Sequence, residues 1–261
     1  MSENPLHVAQ TGAILEITLD MPKANAISAA TSRIMGQAFA AFRDDPALRV
    51  AIITGAGEKF FSAGWDLKGA AAGEPPDADY GVGGFAGLQE LPGLNKPVIA
   101  AVNGMAVGGG FELALSADMI LAADHARFAL PEIKAGTLAD AATLKLPRRM
   151  PFHVAMELLL TGRWMEAPEA ARWGLVNEIV PAADLLPRAR ALAQTLAAGP
   201  PLVFAAIKEV IRDSETLSFH AAIARIMQRG FPTVAALYAS DDQMEGARAF
   251  AEKRAPVWRG R

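Results

Sequence analysis

Cysteine is absent from the 261 residues, which excludes disulfide frameworks, thiolate nucleophiles and Cys-based metal sites together. Histidine is scarce: His7, His125, His153 and His220 include no pair four residues apart, so no helix-borne metal site is expected. A dominant charge is also missing. With a net charge of −3 and 20% charged residues, neither a nucleic acid nor a strongly anionic membrane is an expected partner. The opening residues MSENPLHVAQ lack a basic segment followed by an apolar one, so no secretory signal is expected. Apolar runs break at charges well short of the ~18 residues that a membrane span needs. Internal repeats and low-complexity tracts are missing as well. These absences together lead to the expectation of a cytoplasmic protein.

What is present is ample core material, at 52% hydrophobic residues. Residues 14–19 alternate, with Leu15, Ile17 and Leu19 on one face, which predicts a half-buried strand. Residues 28–43 have helical spacing, with Ile34, Met35, Phe39 and Phe42 recurring on one side. The short apolar runs 50–54, 98–102 and 119–123 are separated by helical stretches, the pattern of strands covered on both faces. Residues 69–87 are rich in Gly, Ala, Pro and Asp without periodicity, and a mobile surface loop is expected there. From residue 151 helical spacing dominates, over 154–160, 168–174, 183–198, 202–212, 218–230 and 244–253. An α/β core over residues 1–200 and a helical C-terminal region over 201–261 follow.

Four segments could carry chemistry. In 104–118 (GMAVGGGFELALSAD) glycines follow a strand and precede an apolar helix, so a ligand can approach main chain and free N–H donors. Glu112 is that helix's only early charge; its ordinary reading is a carboxylate favoured by the helix dipole. An ionised Glu in an apolar helix nevertheless calls for a partner or a role. A dinucleotide-binding turn is a rival reading, but glycines at 104, 108, 109 and 110 do not fit G-x-G-x-x-G. In 128–136 (FALPEIKAG) Pro131 suits a first helical position and puts Glu132 in the first turn, where a dipole-favoured surface Glu is the plainer reading. Segments 59–68 (KFFSAGWDLK) and 21–27 (MPKANAI) read as turns after strands, and neither identifies a function alone.

Taken in order, the four contain P-x-x-N-A at 22–26, F-S-A-G-x-D at 61–66, G-x-x-x-G-G-G-x-E at 104–112 and L-P-E at 130–132. The two glutamates are 132 − 112 = 20 positions apart. This ordered set, spread over essentially the whole chain, resembles the crotonase (enoyl-CoA hydratase/isomerase) superfamily. Longer stretches, among them FRDDPALRVAIITGAGEKFFSAGWDLK and AFAEKRAPVWRGR, look like its bacterial carnitinyl-CoA dehydratase subgroup.

The resemblance implies an α/β fold of stacked β-β-α units with a helical C-terminal trimerisation region, assembled as a homotrimer or a dimer of trimers. It implies reversible hydration and dehydration of an acyl-CoA thioester, on a carnitine-type acyl group. General 2-enoyl-CoA hydration or double-bond isomerisation, and a catalytically weak CoA-binding scaffold, are the alternatives. By that pattern Glu112 and Glu132 are the acid–base pair, and the Trp65 and Gly109 N–H groups hold the thioester oxygen. Coenzyme A is part of the substrate, and no separate cofactor or metal is required. Its adenine would meet the turn at Ala24 and Ala26 and the segment from Ala63 to Asp66, with Lys23 and Lys253 as phosphate contacts. For a trimethylammonium group, the aromatics Trp65, Tyr80, Phe85, Phe111 and Trp164 are available.

One stretch departs from that pattern. Ala139 stands where the family usually has Pro, and Ala142–Thr143 where it usually has a Gly-Gly pair; Asp140 is of the carnitine type. Altered pocket shape is the expected consequence.

Overall fold

The computed structural model describes residues 4–75 and 77–261. Among the described residues twelve strands form three sheets. The largest runs in the order β1 (Leu6–Thr11), β2 (Ile14–Leu19), β4 (Val50–Gly55), β7 (Val98–Val102), β9 (Met119–Ala123) and β12 (Glu178–Val180). Only β1 is antiparallel to its neighbour there; the other pairings are parallel. The second sheet is β11 (Met165–Glu166), β10 (Arg127–Ala129), β8 (Met105–Val107) and β5 (Phe60–Ser62). The third pairs β3 (Ala26–Ile27) with β6 (Gly64–Trp65).

The two main sheets are filled in alternation along the chain. β4 enters the large sheet and β5 the second, then β7 and β8, then β9 and β10. Helices follow in the same rhythm: α1 (Ala29–Asp44) comes first, α2 (Leu67–Ala71) follows β6, α3 (Gly109–Ser116) follows β8, and α4 (Glu132–Ala135) follows β10. Then come α5 (Asp140–Lys145) and a series of helices between Phe152 and Ala251. This is a stack of β-β-α units. Because β4 and β7 are buried along their whole length, they read as unbroken apolar runs rather than alternating ones.

Most expected elements are present, and the differences are instructive. Ser28 caps α1 by accepting from the Thr31 N–H at 3.2 Å. Met35, Phe39 and Phe42 are fully buried along α1, but Ile34 is 38% exposed and lies off that face. The segment 59–68 is not a simple turn but contains β5 and β6. Strands β1, β3, β8, β10, β11 and β12 and the helices α2, α5 and Pro232–Tyr238 lie outside the expected elements. β11 and β12 have only two or three residues, too few to show a period.

The segment 69–87 is not uniformly a surface loop. Its end folds into a 3-10 turn, Phe85–Gly87, docked on α1, with Ala86 fully buried and its N–H donated to Ser32 Oγ at 3.0 Å. Main chain meets main chain there. A Cβ on Gly87, whose φ is +71°, would lie 2.2 Å from Gly36 N. The core built on these contacts draws on residues from Leu6 to Ala193, and a separate small cluster joins Ala206, Phe231 and Val234.

Gly87→Ala therefore combines an unfavourable positive φ with a backbone clash and should lower unfolding stability by roughly 1–3 kcal/mol. Equilibrium urea denaturation measures it; an unchanged midpoint would show that the Phe85–Gly87 turn does not dock on α1 as described.

Candidate active site

The first motif explains itself through Asn25. Asn25 is buried with φ +53°, a conformation that Asn tolerates better than most residues. Its Oδ1 accepts from Met21 N–H at 3.0 Å, and its Nδ2 donates to the carbonyls of Ala56 (3.1 Å) and Phe60 (3.0 Å). The turn is thus pinned just past the C-terminal end of β4. Ser62, from the second motif, donates its hydroxyl to Asn25 C=O at 2.7 Å and accepts from Gly64 N–H at 3.0 Å. Ala63 N–H reaches Ala24 C=O at 2.9 Å, and Ala26 pairs with Gly64 in the short sheet.

The third motif then fits against the second. Gly64 has φ +78°, and a Cβ on it would lie 2.6 Å from both Gly109 N and Val107 O. A Cβ on Gly110 would lie 2.3 Å from Ser62 O. These glycines let the start of α3 meet β6, so Trp65 and Gly109 become neighbours on one cavity wall. α3 follows a second strand, β8, rather than springing directly from β7, which removes the dinucleotide-turn reading. Gly109 opens α3, where N–H groups have no partner within the helix.

The cavity has a volume of about 290 Å³. Its wall contains Trp65, Gly109, Glu112 and Glu132. Glu112 lies one turn into α3 and is 7% exposed. Its Oε1 accepts from Ala142 N–H at 2.8 Å, and its Oε2 from the Gln89 amide at 3.4 Å. Burial pushes this carboxyl above its ordinary range, with the Ala142 and Gln89 donors pulling the other way. Asp140 adds to the rise, whereas Lys145 opposes it. The Lys145 ammonium is turned to Ser116 Oγ (2.8 Å), whose hydroxyl in turn donates to Glu112 C=O (2.8 Å). Burial holds Lys145 down to about 8, and the charges of Glu112 and Glu90 work against that shift.

Glu132 arrives from the next β-β-α unit. Gly108 N–H donates to Ala129 C=O at 2.9 Å, which brings β10 and α4 beside the start of α3. A Cβ on Gly108, at φ +54°, would lie 2.7 Å from Glu132 Oε1. Burial raises the Glu132 carboxyl to about 7; its own N–H opposes the rise, while the charges of Glu112 and Asp140 add to it. Its Oε2 is buried with no hydrogen-bond partner among the described residues. Glu132 is therefore not a surface carboxylate. One glutamate is held by two donors and the other is left to keep a proton.

The 137–143 departure is accommodated. Ala142 is fully buried and supplies the N–H on Glu112, and Ala139 is also buried. Thr143 and Glu132 share a second cavity of about 280 Å³ with Phe152, Met156 and Leu160.

Other expected residues divide. Of the aromatics, Trp65, Tyr80 and Phe85 reach the cavity, whereas Phe111 packs in the core on Phe128 and Trp164 lies under Arg127. Lys23 is exposed on the Asn25 turn, near Ala24, Ala26 and Ala63. The Asp66 carboxylate caps α2 through Lys68 N–H at 3.1 Å. No hydrogen bond or ion pair among the described residues joins the Lys253 side chain to this group. Its segment runs on to Trp258, whose C=O accepts from Arg49, at the opposite end of β4 from the Asn25 turn. Gln89, Lys145 and the Ala142 N–H were not found from sequence: Gln89 sits in a stretch without period, and a main-chain donor has no residue signature.

Comparison with known proteins agrees with this fold. The Enoyl-CoA hydratase/isomerase family model matches residues 9–261. The chain is similar to a carnitinyl-CoA dehydratase of Escherichia coli (strain K12), 57% identical with all of both chains covered. It is 56% identical to a carnitinyl-CoA dehydratase of Salmonella typhi, again over the whole of both. Among solved structures, the enoyl-CoA hydratase from Mycobacterium tuberculosis H37Rv superimposes with a TM-score of 0.90 at 41% identity, covering 99% of this chain and 100% of that one. The chain belongs to the enoyl-CoA hydratase/isomerase family, the crotonase superfamily.

Proposed function

We propose that this protein catalyses the reversible hydration of a 2-enoyl-CoA thioester, with crotonobetainyl-CoA and carnitinyl-CoA as the interconverted pair. The observation that carries the reading is the cavity shared by two glutamates of different surroundings, beside the N–H at the start of α3. In hydration, Glu112 as carboxylate takes a proton from water while the water oxygen bonds to Cβ. The displaced π electrons move toward the thioester oxygen, where the Trp65 and Gly109 N–H groups stabilise the enolate. Removing such a donor typically costs about 3 kcal/mol of barrier. Glu132 then delivers its proton to Cα, and dehydration retraces each step.

The scaffold alternative loses its motive, because residues 137–143 support Glu112 rather than displace it. For coenzyme A, the Ala24, Ala26 and Ala63 main chain, together with Asp66 at the start of α2, forms the adenine contact, and Lys23 meets phosphate. Lys253 contributes from a neighbouring subunit. A homotrimer or dimer of trimers is proposed, with the helical region 201–261 as the assembly region. Its exposed Ile211, Phe219, Met227 and Phe250 support that division from the 1–200 core. A cytoplasmic setting is proposed on the same reading. Among the described residues no single helix is long and apolar enough to cross a membrane.

Loss of conjugated-thioester absorbance, followed in parallel with crotonobetainyl-CoA and crotonyl-CoA, tests the assignment. Hydration of the first at the higher kcat/KM is expected; preference for crotonyl-CoA would reassign the enzyme to general enoyl-CoA hydration. Glu112→Gln and Glu132→Gln should each lower kcat by about 10²–10⁴-fold; full activity in either variant would sink the paired-carboxylate mechanism.

The pH profile follows from the pair. Hydration releases no net proton, so the pH dependence of kcat/KM must be the same in both directions. The active form carries one proton on the pair. As pH rises through about 7, Glu132 surrenders that proton and kcat/KM should fall in both directions. A flat profile across this range would refute the assignment of the retained proton.

Lys145→Met removes a cation that favours ionised Glu112, so the acid-side limb of the same profile should move to higher pH. An unmoved limb would show that the Lys145 charge does not act on Glu112.

A further inference from the structure

The cavity has a charge pattern that the hydration chemistry does not require. Beyond Glu112 and Glu132, its wall contains Asp77, Glu90 and Asp140, and no Lys or Arg lines it among the described residues. The nearby Lys145 ammonium is turned away, to Ser116. The same wall contains an aromatic pair, Tyr80 and Phe85, which meet edge to face with ring centroids 5.4 Å apart. An uncharged aliphatic acyl chain would have to desolvate those carboxylates without compensation. A quaternary ammonium is suited to such a wall, because it donates no hydrogen bond and is held by aromatic rings and anionic charge.

We infer that Asp140, which lines the same cavity as the Tyr80–Phe85 pair, is a specificity-determining residue that binds the trimethylammonium group of the acyl chain. The inference rests on the hydratase reading above and deepens it. Covalent structure supplies the placement: in a carnitinyl thioester the nitrogen is two bonds beyond Cβ, so the cation must lie next to the groups that act on Cβ. Asp140 is so placed: it lines the same cavity as Glu112, Glu132 and Tyr80, two residues before the Ala142 N–H that holds Glu112. It opens α5, the helix whose Ala142 N–H holds Glu112. The binding of the cation and the setting of the base thus come from one short element. A first-turn carboxylate serving only the dipole of α5 is the competing role, and it would act on every substrate equally.

The test compares wild type, Asp140→Asn and Asp140→Glu on crotonobetainyl-CoA and crotonyl-CoA. The kcat/KM ratio of the cationic to the neutral thioester should fall about tenfold or more in Asp140→Asn, chiefly through KM, and return toward wild type in Asp140→Glu. Equal losses on both substrates, or an unchanged ratio, overturn the assignment. A wild type that hydrates only crotonyl-CoA also overturns it while leaving hydration standing; one that turns over neither overturns the hydratase reading itself. Calorimetric binding of the unreactive thioesters 4-trimethylammoniobutyryl-CoA and butyryl-CoA gives the answer without turnover. Asp140→Asn should weaken the first selectively, and a parallel weakening of both refutes the role.

Discussion

Gly64 and Gly110 bring β5 and β6 into main-chain contact with the start of α3, at distances where a Cβ would lie 2.6 Å or less from backbone atoms. Much of the site depends on that approach. It puts Trp65 and Gly109 on one cavity wall and sets Glu112 one turn deeper on the same wall. Gly108, at φ +54°, then leaves room for the Glu132 carboxylate that the following unit delivers. Asn25 and Ser62 hold the facing turn by hydrogen bonds to main chain, so the glycine contact is supported from the other side as well.

Within that frame the chemistry is one of unequal partners. Both glutamates are desolvated, which favours the neutral acid in each. The donors differ. Ala142 N–H and the Gln89 amide favour the carboxylate of Glu112, whereas Glu132 keeps a buried oxygen without a partner. In the proposed mechanism, two like groups in one cavity would thereby take opposite roles at neutral pH. Helix α5 does much of this with six residues: it contributes Asp140 at its start, Ala142 in its middle and Lys145 at its end. The unusual 137–143 stretch supports the Glu112 carboxylate rather than displacing it.

Much of the fold was legible. β2, β4, β7 and β9 and helix α1 announce themselves by period and apolar content, because each buries a face or a whole strand in one large core. Short strands such as β11 and β12 did not, since pairing by two or three residues is decided by the neighbour they meet. Ile34 was misplaced because one apolar residue can lie off the buried face of a helix without disturbing it. The 69–87 stretch read as a loop because its buried end is a close main-chain packing of Gly87 on Gly36, which leaves no hydrophobic period.

The candidate site divides in the same way. Sequence alone determined the order of the motifs, and through it the family, the two glutamates and the glycine-rich entry to α3, since each demands a particular residue at a particular position. It could not determine that Glu112 is the better-held carboxylate, that Tyr80 and Phe85 rather than Phe111 reach the cavity, or that Asp140 stands beside the pair. Those facts belong to the tertiary structure. Hydrogen bonds from main chain, desolvation and the convergence of side chains from separate units depend on distances in space, and separation along the chain does not encode them.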